Sequence, residues 1–249
     1  MPTPDDTTRS PAGDPIYRHK EREDDGFQLA TGNEVTIDSV VKHLTAHVGE
    51  PAWVFHELLS DKVHLDVHVV SPSERFPFHV LCTSGMSDLP MAVPKTVTAP
   101  KFAELLVCLP PEWDVRQESF SDEAVYWPIR WLKKLARLPH DYKTWFGYGH
   151  TIPNGDPPKP FADGTHLCCW VLLTPTQFGD AFPVASFPDG REVGFYVIVP
   201  LHKEEVEFKL KKGTAGLLPL FRDGLPEILD VARPNMCVKG NVRKSKDVN

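Results

Sequence analysis

A row of histidine and aspartate residues is the part of this sequence whose residue types and spacing come closest to a catalytic or metal-binding site. His64, Asp66 and His68 alternate with apolar residues, and alternate side chains lie on one face of a strand. Imidazole and carboxylate groups bind zinc, and symmetric pairing of the next strand about residues 72–74 would bring His79 near His68. Strand residues four apart are separated by roughly 13 Å, so one ion cannot bind both His64 and His68. A metal-dependent hydrolase using His64, Asp66 and His79 is one alternative, and a solvated strand face is the interpretation that we favour.

Two loops invite comparison with catalytic motifs but lack residues that those motifs need. Ser87 lies in the loop Gly85–Leu89 after a predicted strand, but a nucleophile elbow requires glycine at the position of Leu89. The loop 147–150 contains two glycines but has neither the lysine nor the following helix of a phosphate-binding loop. We therefore expect structural or partner-binding loops, in which Ser87 and Asp88 fix the turn by hydrogen bonds.

The five cysteines form no disulfide or metal-binding pattern. No Cys-x-x-Cys pair occurs, and Cys82, Cys108, Cys168 and Cys169 all lie in apolar runs. This placement predicts buried, unreactive thiols in a reducing compartment. We predict no catalytic residue and no cofactor.

The charge of the chain argues against some classes of partner. The 249 residues include 27 Lys and Arg against 34 Asp and Glu, which gives a formal net charge of −7. An anionic protein is a poor general ligand for nucleic acid and suits a basic protein partner. The N-terminus has no apolar signal region, and no run approaches the roughly 18 apolar residues of a membrane span. We expect a cytoplasmic protein that does not bind membranes.

The apolar pattern predicts one domain between two polar tails. We predict a flexible tail over residues 1–33, a domain over 34–239 and a loose tail over 240–249. The first predicted helix is capped by Thr36, the second has Pro128 in its first turn, and the third begins near His202 and continues past Gly213 toward Phe221. Predicted strands cover 53–58, 63–70, 76–83, 102–109, 167–173 and 195–201. Because helices and strands are interspersed without a regular βαβ order, the predicted fold class is α+β, with a mixed, largely antiparallel sheet and flanking helices.

Five segments of the sequence, taken in order, resemble the suppressor-of-fused family. They are Phe78–Leu89, which contains the recognisable Gly-x-Ser-Asp-Leu loop, Phe102–Leu105, Trp127–Arg137, Gly147–Gly155 and Phe195–Phe208. The resemblance covers about residues 36–238 and is closest to the stand-alone, bacterial-type members, which lack the second domain of the animal protein.

The resemblance implies protein binding rather than catalysis. The animal member clamps a short peptide of its partner, partly by strand addition, and bacterial members include immunity proteins that neutralise toxins. We therefore expect a non-enzymatic protein whose partner is a toxin or another protein with a basic or extended segment. The family-motif positions that we expect at the contact are Gly85, Ser87, Asp88, Leu89, Trp127 and His150. A structural subunit of a larger complex is a further alternative.

Overall fold

The structure is a computed structural model that describes residues 8–19, 26, 28–57, 60–221 and 226–238. Its helices are α1 (Glu34–His47), α2 (Glu123–Asp141) and α3 (Lys203–Leu217). Its strands are β1 (Thr8–Arg9), β2 (Pro15–Ile16), β3 (Leu29–Ala30), β4 (Trp53–Phe55), β5 (Ser60–Asp61), β6 (Asp66–Val70), β7 (His79–Ser84), β8 (Phe102–Leu109), β9 (Thr151–Pro153), β10 (Leu167–Leu173), β11 (Val184–Ser186) and β12 (Glu192–His202). Within the described ranges, no helix is both long enough and apolar enough to cross a membrane.

One eight-stranded sheet organises the fold. Its strand order is β4-β6-β7-β8-β12-β10-β9, and β11 pairs with the N-terminal half of β12. All neighbours are antiparallel except β8 and β12, which run parallel. The predicted α+β class with a mixed, largely antiparallel sheet is therefore confirmed.

Helices cover both faces of this sheet. One face packs against α2 through residues such as Trp127 and Leu132. The other face packs against Val40 and Leu44 of α1 and against Val206 of α3. Every residue of β6 and β7 is buried, so the prediction of a solvated polar face on this hairpin is wrong. Alternation of polar and apolar residues normally marks a half-exposed strand, but here α1 and its neighbours cover the polar side as well.

Capping residues explain where the helices begin. Asn33 accepts a hydrogen bond from the backbone N–H of Val35, so the cap of α1 lies three residues before the predicted cap, Thr36. Asp122 caps α2 in the same way, and that helix starts five residues before the predicted Pro128. The third helix begins just after His202 as predicted and is kinked at Gly213, whose φ of 73° is not helical.

The described part of the predicted N-terminal tail is folded. Strands β1 and β2 form a hairpin, and the backbone N–H of Ala12 donates to the carbonyl of Leu210 on α3. Leu210 lies just before the kink of α3 at Gly213. Carbonyl groups at the C-terminal end of a helical segment have no donor within the helix, and Ala12 supplies one from outside. Strand β3 pairs with β5. The predicted loose tail at 240–249 lies outside the described residues.

Candidate partner-binding surface

The loop Gly85–Leu89 leaves β7 through a backbone position that requires glycine. Gly85 has a φ of 108°, and a β-carbon built on it would lie 1.8 Å from the backbone oxygen of His64. Residues with a side chain rarely adopt this conformation, and here the added atom would also collide with the backbone. Gly85 therefore serves the architecture of the loop, which continues as a 3₁₀ turn over Met86–Asp88.

A buried carboxylate on β8 holds the inner side of the loop. Glu104 is fully buried, and its Oε1 accepts hydrogen bonds from Gly85 N (3.0 Å), Ser87 N (2.9 Å) and Ser87 Oγ (2.6 Å). Its Oε2 accepts a fourth from Thr83 Oγ1 at 2.6 Å. Burial raises the pKa of Glu104 to about 7, while the hydrogen bonds from Ser87 and Thr83 act in the opposite direction. Ser87 is buried, and its hydroxyl donates a hydrogen bond to Glu104 that helps to hold the turn.

Asp88 joins the loop to two other elements. Its Oδ1 accepts a hydrogen bond from Thr36 Oγ1 of α1 at 2.5 Å and lies 3.8 Å from Nη1 of Arg191. Arg191 also donates to the carbonyl of Ser87 at 2.5 Å and to Thr36 Oγ1 at 2.9 Å. Burial raises the pKa of Asp88, and Thr36 and Arg191 oppose that effect. The side chain of Asp88 is thus directed toward α1 and the β11–β12 turn, and it contributes to rigidity.

Leu89 is the member of the loop that offers its side chain to solvent, with 40% of its surface exposed. It borders a shallow depression of about 310 Å³ between the loop and the end of α2. The lining residues are Gln28, Lys62, Leu89, Pro90, Ala92, Pro139, His140 and Lys143. Lys62 and Lys143 have φ values of 65° and 49°, and they are the described non-glycine residues with positive φ. Such sparsely populated conformations cluster at functional sites, which makes this depression the best candidate contact surface.

Trp127 lies in the core and not at the surface. Its side chain is 1% exposed and packs against Phe161 and Trp170, with ring centroids 5.2 and 5.6 Å away. A partner that docks on this structure cannot reach the indole ring. The predicted contact role for Trp127 therefore has no support in its position.

His150 is half-buried and comes immediately before β9. Its ring meets Trp145 edge-on at 4.3 Å and lies 6.3 Å from the ring of Tyr17. Burial, helped by the nearby charge of Lys209, lowers the pKa of His150 to about 4. His150 is therefore neutral near pH 7 and offers no positive charge to a partner.

Of the three predicted metal ligands, the structure brings together His64 and Asp66 but not His79. Asp66 Oδ1 lies 3.3 Å from His64 Nε2 and 3.0 Å from His56 Nδ1. His79, however, is opposite Leu109, whereas Asp66 is opposite Ser84, five residues farther along β7. That separation corresponds to roughly 16 Å along the strand. The assumed hairpin register was wrong because the chain turns nearer residue 75, where Phe76 N donates to Ser73 Oγ and Ser73 N donates to Phe76 O.

Two further groups of residues bear on metal and thiol chemistry. Across the described ranges, no cluster of three or more His, Cys, Asp or Glu side chains is arranged to hold a metal ion. Cys82, Cys108 and Cys169 are fully buried in strands, and burial raises the pKa of each thiol. The thiolate form needed for nucleophilic chemistry is therefore disfavoured at these three positions.

The sequence interpretation missed the polar residues that organise this surface. Glu104 interrupts the apolar run of β8, and a charged residue in a fully buried strand was the available signal. Arg191 carried no comparable signal, because it follows a Gly-containing turn like many exposed residues. Glu205 and Arg233 were also missed, and their buried ion pair (2.5 Å) ties the segment after residue 226 to α3.

Comparison with known proteins identifies the family. The family model for Suppressor of fused protein (SUFU) matches residues 61–234. A SUFU homologue from Neisseria gonorrhoeae shares the fold with a TM-score of 0.60 and 16% identity, over 83% of this chain and 100% of that one. A chain of the Sufu–Fu complex gives a TM-score of 0.58 and 17% identity, over 81% of this chain and 92% of that one. Drosophila Suppressor of Fused gives a TM-score of 0.57 and 16% identity, over 81% of this chain and 51% of that one.

No curated protein is significantly similar in sequence. At these identities the solved structures show a common fold, while the family match extends from β5 to the segment that follows α3. The chain belongs to the suppressor of fused family.

Proposed function

We propose that this chain is a non-enzymatic protein that binds another protein through the outer side of the Gly85–Leu89 loop and the adjoining depression. The observation that carries the proposal is the contrast between the two sides of the loop. Its inner side is fixed by Glu104 and Arg191, while Leu89 projects outward beside Pro90. A rigid loop loses little conformational entropy when it binds, which favours recognition by an exposed apolar side chain.

Membership of the family supports binding as the activity. A relative with the same fold is known from the Sufu–Fu complex, in which a suppressor of fused protein is bound to a partner. The positions of the residues considered for catalysis also support binding rather than catalysis, since Ser87 is buried and His79 is remote from Asp66. The partner side chain that fits beside Leu89 is apolar, because Leu89, Pro90, Ala92 and Pro139 supply half of the lining.

A finer proposal is that the partner is a toxin and this chain its immunity protein. Its support is the resemblance to stand-alone bacterial members, together with the match over the whole length of the Neisseria gonorrhoeae chain. Co-expression tests it: the chain restores growth of cells that produce the toxin, and a variant with a disrupted contact does not. If co-expression of the chain does not restore growth, the toxin proposal is contradicted, whereas the proposal of protein binding in general is unaffected.

The binding proposal is tested by affinity capture from the native host with the wild-type chain and Leu89→Glu. The matched control is Val238→Glu, which adds the same charge at a residue of similar exposure, 46% against 40%. We expect one protein to be retained by wild type and Val238→Glu and lost from Leu89→Glu, with all three chains equally folded. Equal retention by all three chains contradicts the proposed surface.

A further inference from the structure

The N-terminal arm, which comprises residues 8–19, packs against elements that are far from it in sequence. It consists of the β1–β2 hairpin and the three residues that follow. The arm precedes residues 61–234, which match the family model, whereas its contacts on α3 and just before β9 lie within that match. The arm therefore rests on the matched domain from outside, and its contacts show what chemistry the surface beneath it accepts.

Lys209 of α3 is the residue of this surface that most needs a partner. It is 6% exposed, and burial lowers its pKa because the ammonium group loses water. The carboxylate that opposes this effect is Asp14 of the arm. A buried charge is costly unless an opposite charge or hydrogen bonds compensate for the lost water. The arm thus supplies an anion that this position of α3 requires.

Two further contacts attach the arm. The backbone N–H of Ala12 donates to the carbonyl of Leu210 at 3.0 Å, where α3 approaches its kink. The ring of Tyr17 lies 6.3 Å from the ring of His150, whose other aromatic neighbour is Trp145. The surface therefore accepts a backbone N–H, a carboxylate and, three residues after the carboxylate, an aromatic ring.

The arm has the features of a segment that opens without unfolding the domain. Strands β1 and β2 contain two residues each, and a two-stranded hairpin is at best marginally stable alone. Among residues 8–19, Ser10 is buried and the others keep part of their surface in solvent. The hydrogen bond from Asp14 N to Ser10 Oγ (3.1 Å) lies within the arm, so its turn does not depend on docking. Few buried contacts and an exposed backbone favour local opening.

We propose that the surface formed by His150, Lys209 and the carbonyl of Leu210 binds a turn of a partner protein, and that the N-terminal arm occupies this surface as a built-in competitor. The partner's turn carries a carboxylate for Lys209 and, three residues later, an aromatic ring for His150. When the arm leaves, Lys209 loses the carboxylate of Asp14, and an acidic segment of another protein replaces it. The proposal goes beyond the proposed function, because it assigns a second binding surface.

The arm also approaches the depression beside Leu89. The ring of His19 lies 5.3 Å from the ring of Tyr142, and the next residue, Lys143, lines the depression. One partner protein can therefore contact both surfaces.

The test releases the arm in the full chain by Asp14→Lys, which places a second cation beside Lys209. Asp38→Lys is the matched control, since it reverses the same charge at an exposed residue of α1. A labelled peptide with the sequence of residues 8–19 is titrated into wild type and both variants. Lys209→Met and Lys211→Met are each combined with Asp14→Lys, and Lys211 is the exposed neighbour on the same helix.

We expect the peptide to bind Asp14→Lys about tenfold or more tightly than wild type or Asp38→Lys, because a tethered arm competes at a high effective concentration. Adding Lys209→Met weakens this binding about tenfold or more, while Lys211→Met leaves it within about threefold. Peptides that carry Asp14→Asn or Tyr17→Ala bind more weakly. Equal binding to Asp14→Lys and wild type overturns the proposal, and so do equal effects of Lys209→Met and Lys211→Met.

The captured partner supplies the second part of the test. We expect its affinity for Asp14→Lys to exceed that for wild type about tenfold, and the peptide of residues 8–19 to compete with it. If Leu89→Glu loses the partner while Asp14→Lys and the peptide change nothing, this proposal is overturned and the proposed function stands. If Leu89→Glu keeps the partner while Lys209→Met loses it, the second surface stands and the Leu89 surface fails.

Discussion

Glu104 and Ser87 are joined twice, since one carboxylate oxygen of Glu104 accepts both the backbone N–H and the hydroxyl of Ser87. The residues are 17 positions apart, and the contact links the centre of β8 to the turn that follows β7. A buried carboxylate without such donors would be costly, so the strand and the loop stabilise each other. Hydrogen bonds to Glu104 fix the inner side of the Gly85–Leu89 loop, and they thereby keep its outer side rigid.

Gly85→Ala is expected to destabilise the protein far more than glycine replacement elsewhere. Strain at positive φ costs about 1 kcal/mol, and the clash with the His64 oxygen adds about 1–3 kcal/mol. Gly164→Ala is the control, because its φ of 83° is similar and no atom lies within 4 Å of the added carbon. Urea unfolding measures both variants. Equal losses of stability would show that residue 85 is not held against the backbone of residue 64.

The stability of the protein is expected to carry a pH dependence from Glu104. Its pKa in the folded state, about 7, is raised above the ordinary 4.5, so the folded state holds the proton more tightly. The stabilising contribution is complete below about pH 4.5 and is lost as the pH rises through 7, by up to about 3 kcal/mol. Protonated Glu104 keeps a partner, because Thr83 Oγ1 can accept from it and donate to Leu105 O, 3.3 Å away.

The matched comparison for this pH dependence is Glu104→Gln. Burial lowers the pKa of His68 and of His150 to about 4, and these groups act with the opposite sign between pH 4 and 6.5. Unfolding free energies of both proteins are therefore measured from pH 4.5 to 8 and subtracted. We expect the advantage of wild type over Glu104→Gln to shrink as the pH rises. A difference that stays constant would contradict the raised pKa of Glu104.

Thr36→Val is expected to loosen the attachment of α1 to the Gly85–Leu89 loop. The hydroxyl of Thr36 donates to Asp88 and accepts from Arg191, and valine keeps its shape while removing both bonds. Leaving these groups unpaired costs about 1–3 kcal/mol. Thr45→Val on the exposed side of α1 is the control and changes stability by less than about 0.5 kcal/mol. Thermal unfolding of both variants checks the difference, and similar values would argue against the Thr36 contacts.

Trp127 is expected to matter for stability and not for recognition. Truncation by Trp127→Ala removes a ring stacked on Phe161 and costs about 3–5 kcal/mol. Trp127→Phe keeps an aromatic ring and loses less. The affinity of the folded Trp127→Phe protein for the captured partner should equal that of wild type. A weaker affinity at unchanged stability would restore a contact role for this residue.

The fold was largely predictable because the main strands are long apolar runs, such as Phe102–Leu109 and Leu167–Leu173. The short edge strand Val184–Ser186 was not, since three residues between prolines carry too little pattern. The histidine row was misread because alternation does not reveal whether a second helix layer covers the polar side. Loop positions were found through the family motif, whereas Glu104 and Arg191 act through contacts between residues far apart in sequence.

The most direct measurement of the central claim is a calorimetric titration of the captured partner into wild type, Leu89→Glu and Val238→Glu. An apolar contact at the centre of an interface contributes about 2 kcal/mol or more. We predict that Leu89→Glu weakens binding at least about thirtyfold at unchanged stability, while Val238→Glu binds like wild type. Equal affinity of all three proteins would place the partner elsewhere and contradict the assignment of the Gly85–Leu89 loop as the binding surface.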